Sequence, residues 1–402
     1  MVENLSINKA YQYLLIILAF LMPLTVFGAN LIIVIICVLW LFSGDYASKF
    51  NQIISNKFIL ASIAFFFLHV IGLLWTEDII WGLHIVHKMW YFLLLLPVLY
   101  TVVRKEYIGT YVSAFLLAIA LTELLSFLVW FEIIDEFKNA TISNPTPFMS
   151  HISYNPIITF AIYLVSHKVL FNKKLSRAKR YIFSFFVISM IFNMFITGGR
   201  AGQVMFFAMM GILIFQYFHG QKFKAILAIF IIIPGIFLAA YQASDTFKYR
   251  VDIAIINLQN FELNKDSSVG QRITFAVNSW DVVKKNPIIG IGTGDFPAEY
   301  KKVNLKNTPE LTVLANATNP HNMYILILMQ IGFIGLISLL SIFYYQIKLS
   351  FMSKNKFIRD VGLTLPLLFL IIMWSDSYLL GHYTTLMYIF FSSFLYKNFE
   401  KS

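Results

Sequence analysis

Charged residues are scarce in this sequence of 402 residues, and their scarcity excludes an ordinary soluble domain. Only 13% of the residues are Asp, Glu, Lys or Arg, whereas soluble domains carry about 25%. Hydrophobic residues make up 59%, and 41 residues are Phe. Because apolar runs long enough to cross about 30 Å of hydrocarbon recur along nearly the whole chain, we predict an all-α integral membrane protein. Examples of such runs are Tyr11–Phe27, Phe58–Trp75, Ile108–Trp130 and Ile325–Tyr345.

Cysteine is almost absent as well. The single thiol, Cys37, can form no intramolecular disulfide. The net charge of +11 does not indicate a nucleic-acid partner, because in a membrane protein the distribution of Lys and Arg matters more than their sum. The first apolar run is predicted to be a retained helix rather than a cleaved signal, since Pro23 is followed by further membrane-like sequence without a small-residue cleavage site.

Twelve apolar segments are predicted to be transmembrane helices, and the charges between them predict the orientation of the chain. Basic clusters such as Lys168–Arg180 and Lys348–Arg359 lie in alternate connections, which the positive-inside rule places in the cytoplasm together with both termini. The opposite connections, such as Thr76–Ile80, are acidic and poor in basic residues. The predicted segments are 11–27, 29–43, 57–75, 83–103, 108–131, 152–170, 181–197, 201–218, 223–242, 321–347, 360–376 and 382–397.

A long polar connection, 243–320, separates the ninth and tenth predicted segments on the outer side. It divides the chain into a nine-helix membrane region (1–242), an external loop (243–320) and a three-helix membrane region (321–402). Within the loop, Ser268–Lys285 is predicted to be an amphipathic helix that lies on the membrane or on the helix bundle, with Ile273, Ala276, Val277, Trp280 and Val283 on its apolar face. A second helix is predicted over Phe247–Asn264, and a glycine-rich turn over Ile288–Phe296.

Three polar groups at the predicted outer boundary are candidates for function. Arg200, in the hairpin ITGGRAGQ, follows Gly198 and Gly199 and precedes a helix start that could offer N–H groups to an anion; a snorkelling interfacial arginine is the alternative. Arg272, in GQR, could equally be a surface arginine of the loop helix. In NPHNMY, Pro320 is expected to mark a helix start that presents His321 and Asn322.

Two arginines and a histidine on one face would suit a phosphate ester. Guanidinium groups bind phosphate oxygens through paired hydrogen bonds and stay charged, while histidine can deprotonate or orient a hydroxyl. The outer connections show no acidic cluster with metal-ligand spacing, so no metal or other cofactor is expected. Lys88, with Trp81 and His84 on one helical stripe, is a further phosphate candidate, although a lipid head group is the alternative partner.

Three other features are less specific. Asp376, in WSDSYLLGH, could pair with an arginine of the site or lie in a solvated turn. His84 and His87 have the spacing of a metal pair but no third ligand nearby in sequence, which favours packing. Gly332 and Gly335 lie further along the helix that follows His321, and we assign them to close helix packing.

The order TGGR, GQR…W…NPIIGIGTGDF and PHNMYILILMQIGFIGL, across about 196–340, resembles the O-antigen ligase superfamily. The resemblance implies a twelve-helix glycosyltransferase of the inner membrane, similar to GT-C enzymes, with a periplasmic loop between helices nine and ten. It implies inverting, metal-independent transfer of a glycan from undecaprenyl diphosphate. Arg200, Arg272 and His321 stand where the superfamily's functional residues stand. Lys88, Asn322 and Asp376 are added here as candidate binding residues.

Within the superfamily, we expect a ligase that joins the O-antigen glycan to lipid A-core in the periplasm. A polysaccharide polymerase is the closest alternative, and the spacing of Arg200 and Gly211 matches a polymerase pattern. A relative that glycosylates protein is less favoured because no large extension follows the last helix. From a different class, a membrane transporter is disfavoured, because the ionisable residues other than Glu123 concentrate at the outer boundary rather than at mid-bilayer.

Overall fold

The protein is described by a computed structural model, which covers residues 2–260 and 265–399. Helix dominates it, as the composition predicts, and the described strands form only one hairpin, Ala140–Thr141 with Asn144–Pro145. The α-helices are α1 (Val2–Leu21), α2 (Val26–Phe42), α3 (Tyr46–Ser55), α4 (Lys57–Ile71), α5 (Ile79–Lys88), α6 (Leu96–Val102), α7 (Ile108–Trp130), α8 (His151–Phe171), α9 (Arg177–Ile196), α10 (Arg200–Tyr217), α11 (Lys222–Ala243), α12 (Asp245–Gln259), α13 (Ser268–Val283), α14 (Phe296–Asn307), α15 (Thr312–Ala315), α16 (Met323–Met352), α17 (Lys356–Ile372) and α18 (His382–Leu395).

The prediction of a helical membrane protein is confirmed, whereas the prediction of twelve crossings is not. Among the described residues, six helices are long and apolar enough to span a membrane, or seven if the bent pair α2 and α3 counts as one span. Helices α17 and α18 have 17 and 14 residues, fewer than the roughly 20 that a straight crossing needs. The twelve-span topology and its orientation therefore stay predictions.

The helices predicted within 243–320 are present, and the apolar face predicted for one of them is only partly buried. Helix α13 buries Thr274, Phe275 and Asn278, while Val277 and Trp280 of the predicted apolar face are exposed. Packing against the protein thus uses the mixed face and the Val283 end of the apolar stripe, and it leaves Val277 and Trp280 outside. The second predicted helix corresponds to α12, and its predicted end at 261–264 lies outside the described residues.

The chain folds into two compact units. The first unit comprises residues 1–36 and 104–252, and the second comprises 37–103 and 253–402. The predicted division into two membrane regions and an external loop concerns placement relative to a membrane, so it stays a prediction.

In the first unit, α8 and α10 pack closely because two glycines face Asn155 of α8. Gly199 is the N-cap residue of α10, and Gly202 lies in its first turn. A Cβ on Gly202 would lie 2.2 Å from the Asn155 Cβ atom. The Asn155 amide donates to the Gly199 carbonyl over 3.1 Å, and its oxygen accepts the Thr197 hydroxyl over 2.7 Å. The turn Thr197–Arg200 is therefore held in place by side-chain bonds from the neighbouring helix.

In the second unit, α16 is broken in its middle. Ile331 and Gly332 have non-helical dihedral angles, and Gly332 has φ 62° and ψ −160°, a region that only glycine adopts easily. The chain over Pro287–Gly292 packs into this break. Ile291 and Gly292 donate to the carbonyls of Met329 and Gln330, while Phe333 donates to the Pro287 carbonyl over 2.8 Å.

The assignment of Gly332 to helix packing is corrected by this break. A Cβ on Gly332 would lie 2.3 Å from the carbonyl oxygen of Ile288, so the close neighbour is the glycine-rich turn and not another helix. The backbone N–H groups from Gly290 to Asp295 all donate hydrogen bonds within the protein. The turn is therefore structural and leaves no N–H group of this stretch for a phosphate.

Candidate active site

His321 lies in a short connection before α16, in a backbone conformation that few side chains adopt. Its φ is 50°, in the left-handed region, which costs energy for a non-glycine residue unless the surroundings enforce it. The Asn319 side-chain oxygen accepts the His321 N–H over 3.0 Å. Asn322 then caps the helix by accepting the Ile325 N–H over 3.1 Å, and its amide donates to the Trp374 carbonyl.

The expectation that Pro320 marks the helix start is therefore wrong by a few residues. The first helical residue is Met323, and Asn322 is its N-cap. Pro320 and His321 lie before the helix, which leaves the imidazole outside the first turn. Asn322, predicted to bind substrate, has both polar groups of its side chain engaged within the protein.

Asp376, in the connection between α17 and α18, holds the imidazole. The His321 Nδ1 atom lies 3.3 Å from the Asp376 Oδ2 atom, with the imidazole 45% exposed and the carboxyl 16% exposed. The Asn319 amide and the Ser377 N–H donate to the other carboxyl oxygen over 3.0 Å and 2.7 Å. Because an ionised carboxylate only accepts, Nδ1 carries the proton in the neutral ring, and Nε2 is the ring nitrogen that Asp376 does not engage.

The Asp376 carboxyl is held in its charged form. Burial alone would raise its pKa, but the hydrogen bond and charge of His321, and the donors of Ser377 and Asn319, lower the pKa below its ordinary value of 3.8. A folded-state pKa below the unfolded one means that this group stabilises the fold above about pH 4 and loses that contribution as the pH falls through the folded value. The pair with His321 is thus intact at neutral pH.

Arg272 and His321 belong to the same neighbourhood of the second unit. Phe275, one helical turn after Arg272 on α13, packs against the imidazole with ring centroids 6.0 Å apart.

The Arg272 charge also acts on Tyr378, two residues after Asp376. Burial raises the pKa of the Tyr378 phenol to about 12, which the Ser375 hydrogen bond and Arg272 oppose and the Asp376 charge supports. Tyr378 therefore stays a neutral hydrogen-bond donor.

An apolar groove of about 460 Å³ runs along the exposed face of α13. Trp280 of α13, Tyr324 and Leu328 of α16, and Trp374 line it. Tyr324 lies three residues after His321, and Trp374 lies two residues before Asp376, so the two segments that carry the polar pair also contribute to the groove. Tyr324 and Trp374 pack with ring centroids 5.1 Å apart.

Arg200 is the first residue of α10 and belongs to the first unit. The preceding turn is tied to the β hairpin, because the Gly198 N–H donates to the Asn144 side-chain oxygen over 3.0 Å. The Arg200 charge acts on His151 at the start of α8. The expectation that Arg200 shares one face with Arg272 and His321 stays a prediction.

Lys88 ends α5 in the second unit, and the predicted stripe along that helix is present. The rings of Trp81 and His84 lie 4.9 Å apart, and the Lys88 charge acts on His84. Among the described residues, no hydrogen bond or ion pair joins Lys88 to His321 or Asp376. Within 2–260 and 265–399, no group of three or more His, Cys, Asp or Glu residues could hold a metal ion.

Three residues of these neighbourhoods were not predicted from the sequence. Asn319 and Tyr378 lie beside the predicted His321 and Asp376, so the polar runs TNPHN and SDSY were the available signals. Arg250 of α12 approaches the TGGR turn in the first unit. A lone arginine 50 positions from Arg200 carries no sequence signal of that contact.

Comparisons with known proteins agree with the resemblance seen in the motifs. A family model described as O-Antigen ligase matches residues 185–340, a stretch that contains Arg200, Arg272, His321 and Asn322. An uncharacterized protein of Haemophilus influenzae (strain ATCC 51907 / DSM 11121 / KW20 / Rd) is 27% identical over 207 residues, which are 49% of this chain and 50% of the relative. The match thus spans about half the length of that relative. The match to residues 185–340 supports the O-antigen ligase superfamily for this multi-pass membrane protein.

Proposed function

We propose that the protein is an inverting, metal-independent glycosyltransferase that moves an O-antigen glycan from undecaprenyl diphosphate to lipid A-core. The reaction takes place at the periplasmic face of the inner membrane, with both termini of the chain in the cytoplasm. The observation that carries the proposal is the His321–Asp376 pair, which leaves Nε2 of an exposed imidazole available as the base, while Phe275 of α13, three residues after Arg272, packs against the ring.

The chemistry assigned to this site is a single displacement. A sugar hydroxyl of the acceptor attacks the anomeric carbon of the donor, the bond from that carbon to the diphosphate oxygen breaks, and undecaprenyl diphosphate leaves with the bonding electrons. The hydroxyl proton passes to the His321 Nε2 atom, while Asp376 stabilises the resulting imidazolium. Arg272 binds the diphosphate and stabilises its growing charge. One displacement inverts the configuration at the anomeric carbon.

The groove beside the pair suits the lipid part of the donor. Its lining by Trp280, Tyr324, Leu328 and Trp374 offers apolar contact to an isoprenoid chain. A carrier held there would lie against α13 and α16, and the same segments of the chain carry Arg272 and, just before α16, His321. We retain Lys88 as a binding residue for phosphate or lipid head groups, and Arg200 as a phosphate-binding residue of the first unit.

Replacing Asp376 with asparagine is expected to slow transfer by about 100-fold or more. The amide nitrogen can donate to His321 Nδ1, which would move the imidazole proton to Nε2 and remove the base. Initial rates measured with saturating donor would show the loss in kcat. Glu310→Gln, a change of an exposed carboxyl in the same unit, is the control and should retain the rate. An Asp376→Asn protein with an unaltered kcat would contradict the assigned tautomer.

A reconstituted reaction tests the proposal. The purified protein in nanodiscs is mixed with undecaprenyl-diphosphate glycan and lipid A-core, and the products are separated by gel and mass spectrometry. A ligase yields glycan bound to the core and free undecaprenyl diphosphate, with or without a metal chelator. A polymerase yields longer glycans on the lipid carrier, and a transporter leaves every covalent bond intact. Either of the last two results would overturn the proposed ligase.

A further inference from the structure

Arg250 of α12 lies directly against the TGGR turn of the first unit. The Arg250 Nη2 atom is 3.2 Å from the point that a Cβ on Gly198 would occupy. The guanidinium therefore covers a glycine two residues before Arg200, and the absence of a side chain there makes room for it. Within the described residues, no ion pair joins Arg250 to a carboxylate.

His151, the first residue of α8, completes the group, and its hydrogen bonds fix its protonation. The Asn144 side-chain oxygen accepts the Gly198 N–H over 3.0 Å, so its amide nitrogen faces the His151 Nδ1 atom at 3.1 Å. An amide nitrogen can only donate, which makes Nδ1 the acceptor and places the proton on Nε2. Burial and the charges of Arg250 and Arg200 lower the pKa of His151 below 6.5, so the ring is a neutral N–H donor at neutral pH.

Two guanidinium groups and an N–H donor around one glycine turn repel an additional cation and attract an anion. The fork of an arginine matches the oxygens of a phosphate, and two such groups beside each other are stabilised when a doubly charged anion lies between them. We propose that Arg250 and the Nε2–H of His151 form, with Arg200, a binding site for a phosphate or diphosphate ester. The identity of the molecule that carries this phosphate rests on the proposed function.

The test measures binding of inorganic pyrophosphate to the full chain in nanodiscs of phosphatidylcholine by calorimetry. Arg250→Gln is expected to raise the Kd about 10-fold or more, since charge-assisted hydrogen bonds are lost. Gly198→Ala should raise it about 2- to 5-fold, because the new methyl group displaces the Arg250 side chain. Lys248→Gln removes an equal charge from an exposed position of the same helix and should leave the Kd unchanged.

Competition identifies the source of the phosphate. Displacement of pyrophosphate by undecaprenyl diphosphate but not by phosphatidylglycerol indicates the glycan carrier, and the reverse indicates a lipid head group; either result supports the site. Absence of pyrophosphate binding to the unaltered protein, or an unchanged Kd in both Arg250→Gln and Gly198→Ala, would overturn it. Because binding is measured without transfer, a chain that failed as a ligase could still bind pyrophosphate here, and the two proposals are tested separately.

Discussion

The His321→Ala variant is expected to transfer glycan about 100- to 10,000-fold more slowly than the unaltered protein. The loss follows from removal of Nε2, the imidazole nitrogen that is not bound to Asp376 and is assigned as the base. Donor affinity should change little, because Arg272 and the groove residues remain. Single-turnover rates with lipid-linked glycan and lipid A-core, together with donor binding measured separately, distinguish the two effects.

His219→Ala, a change of an exposed histidine in the connection after α10, is the matched control and should transfer at the normal rate. An additional variant, His321→Gln, keeps a polar side chain but no base, so it should be as slow as His321→Ala. Normal transfer by folded His321→Ala protein would show that the imidazole neither accepts the proton nor orients the acceptor.

The Gly332→Ala variant is expected to be destabilised by about 3 kcal/mol or more. Alanine is strained at φ 62° and ψ −160°, and its methyl group would overlap backbone atoms of Ile288 and Ile289. Backbone atoms cannot rotate aside as a side chain would. The packed turn 287–293 would separate from α16, and a lower melting temperature in detergent, followed by tryptophan fluorescence, would report it.

Gly235→Ala provides the comparison for this stability measurement. Its Cβ would meet no atom within 4 Å, and alanine is favoured over glycine in a helix interior by about 1 kcal/mol. This variant should melt at the same temperature as the unaltered protein or slightly above it. If Gly332→Ala melted at that temperature too, the break in α16 would not be a fixed feature of the fold.

Helix positions were largely predictable, because apolar runs and their polar boundaries are local properties of the chain. Each of the twelve predicted segments contains a helix, and the loop helix α13 begins at the predicted Ser268. The buried face of α13 was not predictable in the same way. Apolar residues normally indicate the packed face, but a helix beside a membrane or a lipid groove can expose them, and only its neighbours reveal which face is covered.

The candidate site shows the same division. The sequence supplied His321, Arg272 and Asp376 as separate candidates. In the structure, His321 bonds Asp376, and Phe275, three residues after Arg272 on α13, packs against the His321 ring. Asn319 and Arg250 act through contacts with residues 57 and 52 positions away, which no spacing rule relates. The contacts of Asp376 with His321 and of Arg250 with Gly198 are therefore visible only in the tertiary structure.

The sequence by itself determined that this is a helical membrane protein and carries motifs that resemble the O-antigen ligase superfamily over about 196–340, because hydropathy and short motifs are encoded residue by residue. Only the tertiary structure decided the tautomer of His321, the break at Gly332 and the closure of the glycine-rich turn. Each of these depends on a partner distant in the chain, whether a carboxylate, a carbonyl or a backbone segment. Hydrogen-bond geometry in three dimensions, rather than residue order, selects such partners.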